Sequence, residues 1–418
     1  MMPTSLDSWL SYIESQHLTE IDLGLERGSY VLAKLNIARP KGKIITVAGT
    51  NGKGSTCSML TQYLHSQSHT VGTYTSPHLL AFNERIAING TPCDDKLICQ
   101  AFETIDAIRE ATSLTYFEFS TLAALWIFSQ SELDDWVLEV GLGGRLDAVN
   151  MVDTDVAVVT SIALDHTDWL GDSIESIARE KTGIARKDKL LVSGVVNPPG
   201  SLAETAAMIG ADLRQKGEHF SFAVKDNQWC WSGDGRFFNH LPLPNLPIEN
   251  AATVIAVLSY MGLGPTQEAL VSLFTTAQLM GRFQKVSNAP LVYIDVAHNP
   301  EAAGELASRL SAFEKKPIAV CGMLKDKDIN SVILRLMDSF SFWCFADLGD
   351  PRGAKAQNLV KILANNSQQN SDNYLSVEVA FDAALVRAMY EGRSIIVFGS
   401  FVTVTDYLTY FKHQEAPC

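Results

Sequence analysis

Short apolar runs alternate along the chain with longer segments in which apolar residues recur at helical spacing. The first pattern fits strands buried on both faces and the second fits amphipathic helices, so together they predict an α/β protein with a mostly parallel sheet. The most informative run is Lys43 to Ala48, followed by Gly49-Thr50-Asn51-Gly52-Lys53-Gly54-Ser55 and a helical pattern from Ser55 to Gln67. Ahead of it, residues 5 to 20 predict an amphipathic helix opened by Ser5, and Tyr30 to Leu35 a second helix. Beyond it, strands are expected at Thr70 to Tyr74, Asp135 to Val140, Val156 to Ile162 and Leu190 to Val196. Helices are expected over Asp94 to Thr112, Thr121 to Ser129 and Ile174 to Ala185, with Thr115 to Phe119 leading into the second of these. From Glu218 to Phe238 the residues alternate around Gly233-Asp234-Gly235, which predicts a small antiparallel hairpin region. Pro242, Pro244 and Pro247 form a stiff connector to a helix from Ile248 to Tyr260. A second β/α series follows Gly281-Arg282-Phe283-Gln284, with strands at Leu291 to Asp295, Ile318 to Cys321, Phe342 to Ala346 and Ile395 to Phe398. Its helices fall near 300–313, 327–338, 355–364 and 381–391. We therefore expect two domains, 1–282 around the glycine loop and 283–418 around a smaller doubly wound sheet.

Composition narrows the class. The 418 residues are 46% hydrophobic and 19% charged, enough to bury a core in each of two or three domains. No run of about 18 uncharged apolar residues occurs, and the start has no basic region followed by an apolar one, so neither a membrane span nor a signal peptide is expected. Seven scattered cysteines include no CxxC pair, which argues against a disulfide framework and a zinc site and favours the cytoplasm. A net charge of −14 is poor material for nucleic-acid binding. Attraction for an anionic substrate must then come from helix N-termini, a metal ion and a few placed cations.

The glycine segment supplies such features. A strand, a glycine loop and a helix start aim backbone N–H groups at phosphate. Lys53 would add a point charge, and Ser55 or Thr56 a hydroxyl for Mg²⁺. Gly54 separates Lys53 from Ser55, so the match to the usual P-loop is imperfect, and an ordinary tight turn is the alternative. Ser76 and Glu139 stand at the ends of two predicted strands, and His166 in the loop after a third. A carboxylate there needs a partner or a metal, so Glu139 is either an ion ligand or paired with Arg145 or Lys181. His166 and Lys181 have plain readings as a structural histidine and a solvated lysine. Asp295-Val296-Ala297-His298-Asn299-Pro300 could bind ribose or phosphate, or simply cap a helix. Arg282 could stack, pair or bind phosphate.

Eight segments then occur in order: GTNGKGS at 49–55, TSPHL at 75–79, FNERI at 82–86, LEVGLGGRLDAVN at 138–150, LDHTDWLG at 164–171, REKTGIA at 179–185, GRFQ at 281–284 and DVAHNP at 295–300. Together they resemble the dihydrofolate synthase/folylpolyglutamate synthase family of Mur-type amide ligases, most closely its bifunctional bacterial members. The resemblance covers most of the chain and implies a P-loop ATPase domain plus a smaller Rossmann-like domain, with the active site in the cleft between them. It implies ATP contacts at Gly49, Thr50, Asn51, Gly52, Lys53, Gly54, Ser55, Asn250, Arg282, Asp295 and His298. It implies Mg²⁺ ligands at Ser76, Glu139 and His166, a carbamylated Lys181, and room for a monovalent cation such as K⁺. Lys53, Lys181, His166 and Arg282 would serve catalysis. Pteroate contacts would be Asp22, Leu23, Thr115, Tyr116, Phe117, Glu118, Leu146, Asp147 and Ala148. The implied substrates are ATP, L-glutamate, 7,8-dihydropteroate and reduced folates, handled by a monomer without nucleic-acid or membrane partners. Two rivals are a peptidoglycan-type Mur ligase, for whose N-terminal domain the 48 residues before Gly49 are too few, and a nucleotide switch without ligase chemistry.

Overall fold

The computed structural model describes residues 3–19, 21–367 and 370–415, and the chain divides into two compact units, 1–277 and 278–418. The division falls ahead of Arg282, so that residue belongs with the second unit.

The first unit is built on an eight-stranded sheet: β1 Ile44–Ala48, β2 Val71–Tyr74, β3 Ile86–Ile88, β4 Thr91–Pro92, β5 Asp135–Glu139, β6 Val156–Val159, β7 Leu190–Ser193 and β8 Asp212–Gln215. The spatial order is β4-β3-β2-β5-β1-β6-β7-β8. Parallel pairing joins β2, β5, β1, β6, β7 and β8, while β3 and β4 run antiparallel at one edge. Every residue of β1 and β5 is buried, as expected of central parallel strands covered on both faces. The register sets Val47 opposite Glu139 and Tyr74 opposite Leu138, so β1, β2 and β5 end together. The loops after these strands therefore share one sheet edge, the usual ligand edge of such sheets.

One apolar cluster on the sheet gathers Trp9, Ile13, Phe102, Phe119, Leu122 and Trp136. A second, around Ala48, Val159, Ala178 and Leu202, packs the other part of the sheet. The three-stranded antiparallel sheet of β9 Phe220–Lys225, β10 Gln228–Gly233 and β11 Arg236–Pro242 holds the helix Ile248–Tyr260 through Trp231, whose Nε1 donates to the Ala252 carbonyl at 3.0 Å. That helix carries Asn250.

The second unit has six strands: β12 Gln284–Asn288, β13 Leu291–Asp295, β14 Ile318–Cys321, β15 Phe342–Ala346, β16 Ser371–Tyr374 and β17 Ile395–Phe398. Their order is β12-β13-β17-β14-β15-β16, parallel except for β12. Its core centres on Trp343, Phe345, Phe340, Phe398 and Leu336.

The hydrophobic pattern missed the polar edge strands β8 and β16 and the antiparallel β12. It also missed the helices Gly200–Ile209, Gln267–Thr276 and Phe401–Glu415. Several boundaries are corrected: the first helix, expected over 5–20, is Leu6–Glu14, and the second, expected from Tyr30, is Glu26–Leu35. The helix expected from Thr121 begins at Tyr116, because Thr115 and Glu118 close a reciprocal capping box in which each accepts the other's backbone N–H.

Candidate active site

The helix Lys53–Ser66 starts directly from the glycine loop. Its N-cap is Gly52, at φ 83, with no side-chain capping bond. That left-handed backbone is cheap only for glycine, and a Cβ there would also collide with the Asn250 amide. Asn250 is itself buried. The loop is pinned from the β6 side. Thr50 N–H donates to the Ser161 carbonyl at 2.9 Å, Asn51 N–H to Ser161 Oγ at 3.0 Å, and Thr160 Oγ1 to the Asn51 carbonyl at 2.6 Å. Lys53 Nζ folds back onto the carbonyls of Gly49 and Thr50 at 3.0 and 3.2 Å. This leaves a rigid loop whose helix start is open to an anion.

Ser55 and Thr56 are 1% and 0% exposed, and their hydroxyls have no hydrogen-bond partner among the described residues. Thr46, Thr182 and Ser259 carry such hydroxyls too, but only Ser55 and Thr56 stand at the start of the helix that follows the glycine loop, where an ion would account for them. At the same sheet edge Ser76 N–H donates to Glu139 Oε2 at 3.1 Å, and Glu139 is 4% exposed. Glu139 is not spent on Arg145, which pairs with Glu180 at 2.7 Å. His166 is exposed, has a left-handed backbone and opens the short helix Thr167–Leu170, with Nε2 3.9 Å from Asp165. Among the described residues no three His, Cys, Asp or Glu side chains gather as a metal site. Glu139 and the Ser55 and Thr56 hydroxyls lie on elements that reach this sheet edge, and oxygen donors of this kind suit a hard divalent ion.

Lys181, on the helix Ile174–Thr182, is 4% exposed, not solvated as its plain reading held. The helix docks on the loop after β5, where Arg145 N–H donates to the Glu180 carbonyl at 2.8 Å and a Cβ at Gly144 would meet the Lys181 Cα at 3.1 Å.

The residues expected around pteroate also come together. Phe117 lies over Gly141, where a Cβ would meet its ring at 2.6 Å, and its ring centre is 5.9 Å from that of Tyr74. Asp147 is buried and accepts from the N–H groups of Leu142 and Val149 at 2.8 and 2.9 Å. Burial pushes its carboxyl up to about 6 against the pull of those bonds. Leu146 is half-buried and Ala148 buried beside it. Arg27 ties the first loop to this wall, donating to Asp22 Oδ2 at 2.5 Å and to Glu118 Oε1 at 3.2 Å. Burial alone would raise the Asp22 carboxyl, but Arg27 and His17 outweigh it and hold it below its usual value. Leu23, in the same loop, is half-buried. Glu118 already serves Thr115 and Arg27, so its carboxylate shapes the wall.

In the second unit, Arg282 lies over the ring of Phe401 at 5.4 Å. Asp295, at the end of β13, accepts from the N–H groups of Phe283 and Ala297, each at 2.8 Å. Burial raises its carboxyl while the Arg282 charge opposes the shift. His298 Nδ1 sits 2.8 Å from the Val296 carbonyl, and its ring centre is 6.1 Å from that of Phe401. Asn299 caps the helix Pro300–Leu310 through Ala302 N–H. Sequence reasoning missed Thr160, Ser161 and Phe401. The first two lay in a recognised strand without a charge to mark them, and Phe401 follows a glycine-serine turn that carried no signal.

Two domain families match the chain, the Mur ligase middle domain over residues 47–232 and the Mur ligase glutamate ligase domain over residues 281–401. The dihydrofolate synthase/folylpolyglutamate synthase of Escherichia coli K12 is 46% identical over 401 residues, spanning 96% of this chain and 94% of that one. The structure of E. coli FolC with DHPP and ADP superimposes with a TM-score of 0.94 at 44% identity, covering 99% of this chain and 100% of that one. A bifunctional folylpolyglutamate synthase/dihydrofolate synthase with Mn, AMPPNP and L-glutamate bound gives 0.90 at 44% identity, covering 98% of each chain. A glycine loop with an uncapped helix start, a buried Glu139 at the same edge and this degree of likeness along nearly the whole length lead to one conclusion: the chain belongs to the dihydrofolate synthase/folylpolyglutamate synthase family of Mur ligases.

Proposed function

We propose that the chain is an ATP-dependent ligase that joins L-glutamate to 7,8-dihydropteroate and to reduced folates. The observation that carries this reading is the pair of buried, unpartnered hydroxyls, Ser55 and Thr56, behind an uncapped helix start at the edge that also bears Glu139. A carboxylate is a poor acyl electrophile at neutral pH. Phosphorylation by ATP would turn it into an acyl phosphate with release of ADP. The glutamate amine would then attack the carbonyl and expel phosphate, forming the amide.

In this reading the loop N–H groups from Gly49 to Ser55 hold the phosphates. Lys53 leaves its two carbonyl partners to meet the transferring phosphoryl group. Asn250 borders the nucleotide at Gly52, and Arg282, Asp295 and His298 supply nucleotide contacts from the second unit. Ser76, Glu139 and His166 would hold Mg²⁺, which supplies charge neutralisation at the phosphoryl oxygens when bound. Lys181 would be carbamylated, its neutral amine adding CO₂ with loss of a proton to give an anion that could help hold the ion. A monovalent cation such as K⁺ could assist. Phe117 and the Leu146–Ala148 turn would hold the pterin end, with Asp22, Leu23, Thr115, Tyr116 and Glu118 as its wall. We read the ligase as a monomer in the cytoplasm. The free cysteines Cys57, Cys93, Cys99, Cys230, Cys321 and Cys344 suit a reducing compartment, and among the described residues no helix is long and apolar enough to cross a membrane.

The test is ADP release and product mass with Mg·ATP and L-glutamate, using 7,8-dihydropteroate in one vessel and a reduced monoglutamyl folate in another. Product in both is expected. Glu139→Ala should abolish both, and near-normal amide formation by that variant would sink the metal assignment.

A further inference from the structure

The segment Phe82 to Ile86 carries one cation that the chemistry above leaves unused. Arg85 ends the tight turn Phe82–Arg85 and leads into β3. Its carbonyl accepts from Thr75 N–H at 2.9 Å, one residue before Ser76. Glu84 is spent on the same turn, accepting from the N–H groups of Leu79, Leu80 and Ala81 at 2.7, 2.7 and 2.8 Å. It therefore does not neutralise its neighbour.

The Arg85 side chain is half-buried and firmly held. Nε donates to His78 Nδ1 at 2.8 Å. The guanidinium carbon lies 5.8 Å from the ring centre of Phe82 and 5.5 Å from that of Tyr116. Among the described residues, Nη1 and Nη2 have no hydrogen-bond or ion-pair partner. A guanidinium fixed by Nε and flanked by rings offers its outer edge as a planar fork, the geometry that recognises a carboxylate through two parallel bonds. The residue links two parts of the proposed site: its carbonyl holds Thr75, next to Ser76, and its guanidinium lies between His78 and Tyr116 on the pteroate wall.

We propose that Arg85 is a specificity residue that clamps the α-carboxylate of the terminal glutamate on a folyl substrate. This rests on the ligase reading above. A folate that accepts another glutamate reacts through its γ-carboxylate and carries an α-carboxylate a few bonds away, within reach of a group beside Ser76. Dihydropteroate ends in an aryl carboxylate and has no α-carboxylate. Arg85 thus serves chain extension and leaves the first ligation nearly untouched.

The experiment is steady-state kinetics of the full chain and of Arg85→Gln with each acceptor, at saturating Mg·ATP and L-glutamate. KM for the reduced monoglutamyl folate should rise roughly 10- to 100-fold, as expected for losing hydrogen bonds to a charged group, with kcat nearly kept. KM and kcat for dihydropteroate should change less than about threefold, which also shows that the variant is folded. Arg85→Lys should recover part of the loss, because it keeps the charge without the fork. A folate whose α-carboxylate is replaced by a carboxamide should lose a similar factor with the parent enzyme and nothing further with Arg85→Gln. Equal losses on both acceptors, or a carboxamide penalty that persists in Arg85→Gln, would overturn the clamp and make Arg85 a support of the 75–78 turn. Failure of the parent enzyme to use either acceptor would overturn the ligase reading itself.

Discussion

The two units both end parallel strands in polar groups, yet they prepare those ends differently. In the first, the helix Lys53–Ser66 begins at Gly52 with no side chain on its leading N–H groups. In the second, the helix Pro300–Leu310 begins with a proline, and Asn299 accepts from Ala302 N–H at 3.0 Å. An uncapped start leaves donors and a partial positive charge for a ligand, whereas a filled cap closes that option. At this strand end the proposed nucleotide contacts of the second unit are side chains, with Arg282 over Phe401 among them. Its Asp295 is inward-looking, holding the turn at Phe283 and Ala297. The same layered architecture therefore leaves a helix start open in one unit and fills one in the other, and under the ligase reading the first would bind phosphate through backbone and the second through side chains.

The contrast can be broken most strongly at Lys53. Lys53→Ala should lower kcat for amide formation by about 100- to 1,000-fold, the usual effect of removing one charge-stabilising donor, with the melting temperature nearly unchanged. Gly52→Ala should come next. It places a side chain in a left-handed backbone and against Asn250, so ATP affinity measured by calorimetry should fall and stability should drop by about 1–3 kcal/mol.

Asp147 sharpens the comparison through pH. The folded chain keeps its proton up to about 6, whereas an unfolded aspartate releases it near 3.8. Between these values the folded state binds more protons, so this carboxyl makes stability fall as pH rises, by at most about 3 kcal/mol for two units. Asp147→Asn should remove that contribution, seen as a smaller loss of stability between pH 4 and 6 in denaturant melts. The smallest effect is expected at Asn299. Asn299→Ala should cost about 1 kcal/mol of stability in the second unit, read by chemical denaturation, and leave kcat within a factor of about two.

The chain announced the contrast only in part. The strands of the second unit at Leu291–Asp295, Ile318–Cys321, Phe342–Ala346 and Ile395–Phe398 were legible because each is a short β-branched or aromatic run. The strand–glycine loop–helix unit was legible because glycines, lysine and hydroxyls fall together in order. The strands Asp212–Gln215 and Ser371–Tyr374 were not, because edge strands need no apolar face. Thr115 to Phe119 read as a lead-in because the apolar helix pattern strengthens only after Thr121, while the start was set by the Thr115–Glu118 box.

By itself the sequence determined the α/β alternation, the glycine loop and the residue types at the strand ends, since periodicity and glycine placement are local properties of the chain. Only the tertiary structure decided which of those residues meet. Val47 opposite Glu139 brings the glycine loop and the carboxylate to one edge, though about ninety residues part them, and strand register is not written in either segment alone. It also decided that Lys181 is buried, that Glu84 is spent on its own turn, and that Arg85 keeps a fork unengaged among the described residues. Burial and hydrogen-bond partners depend on elements far apart in the chain, and they are what separate a solvated charge from a working one.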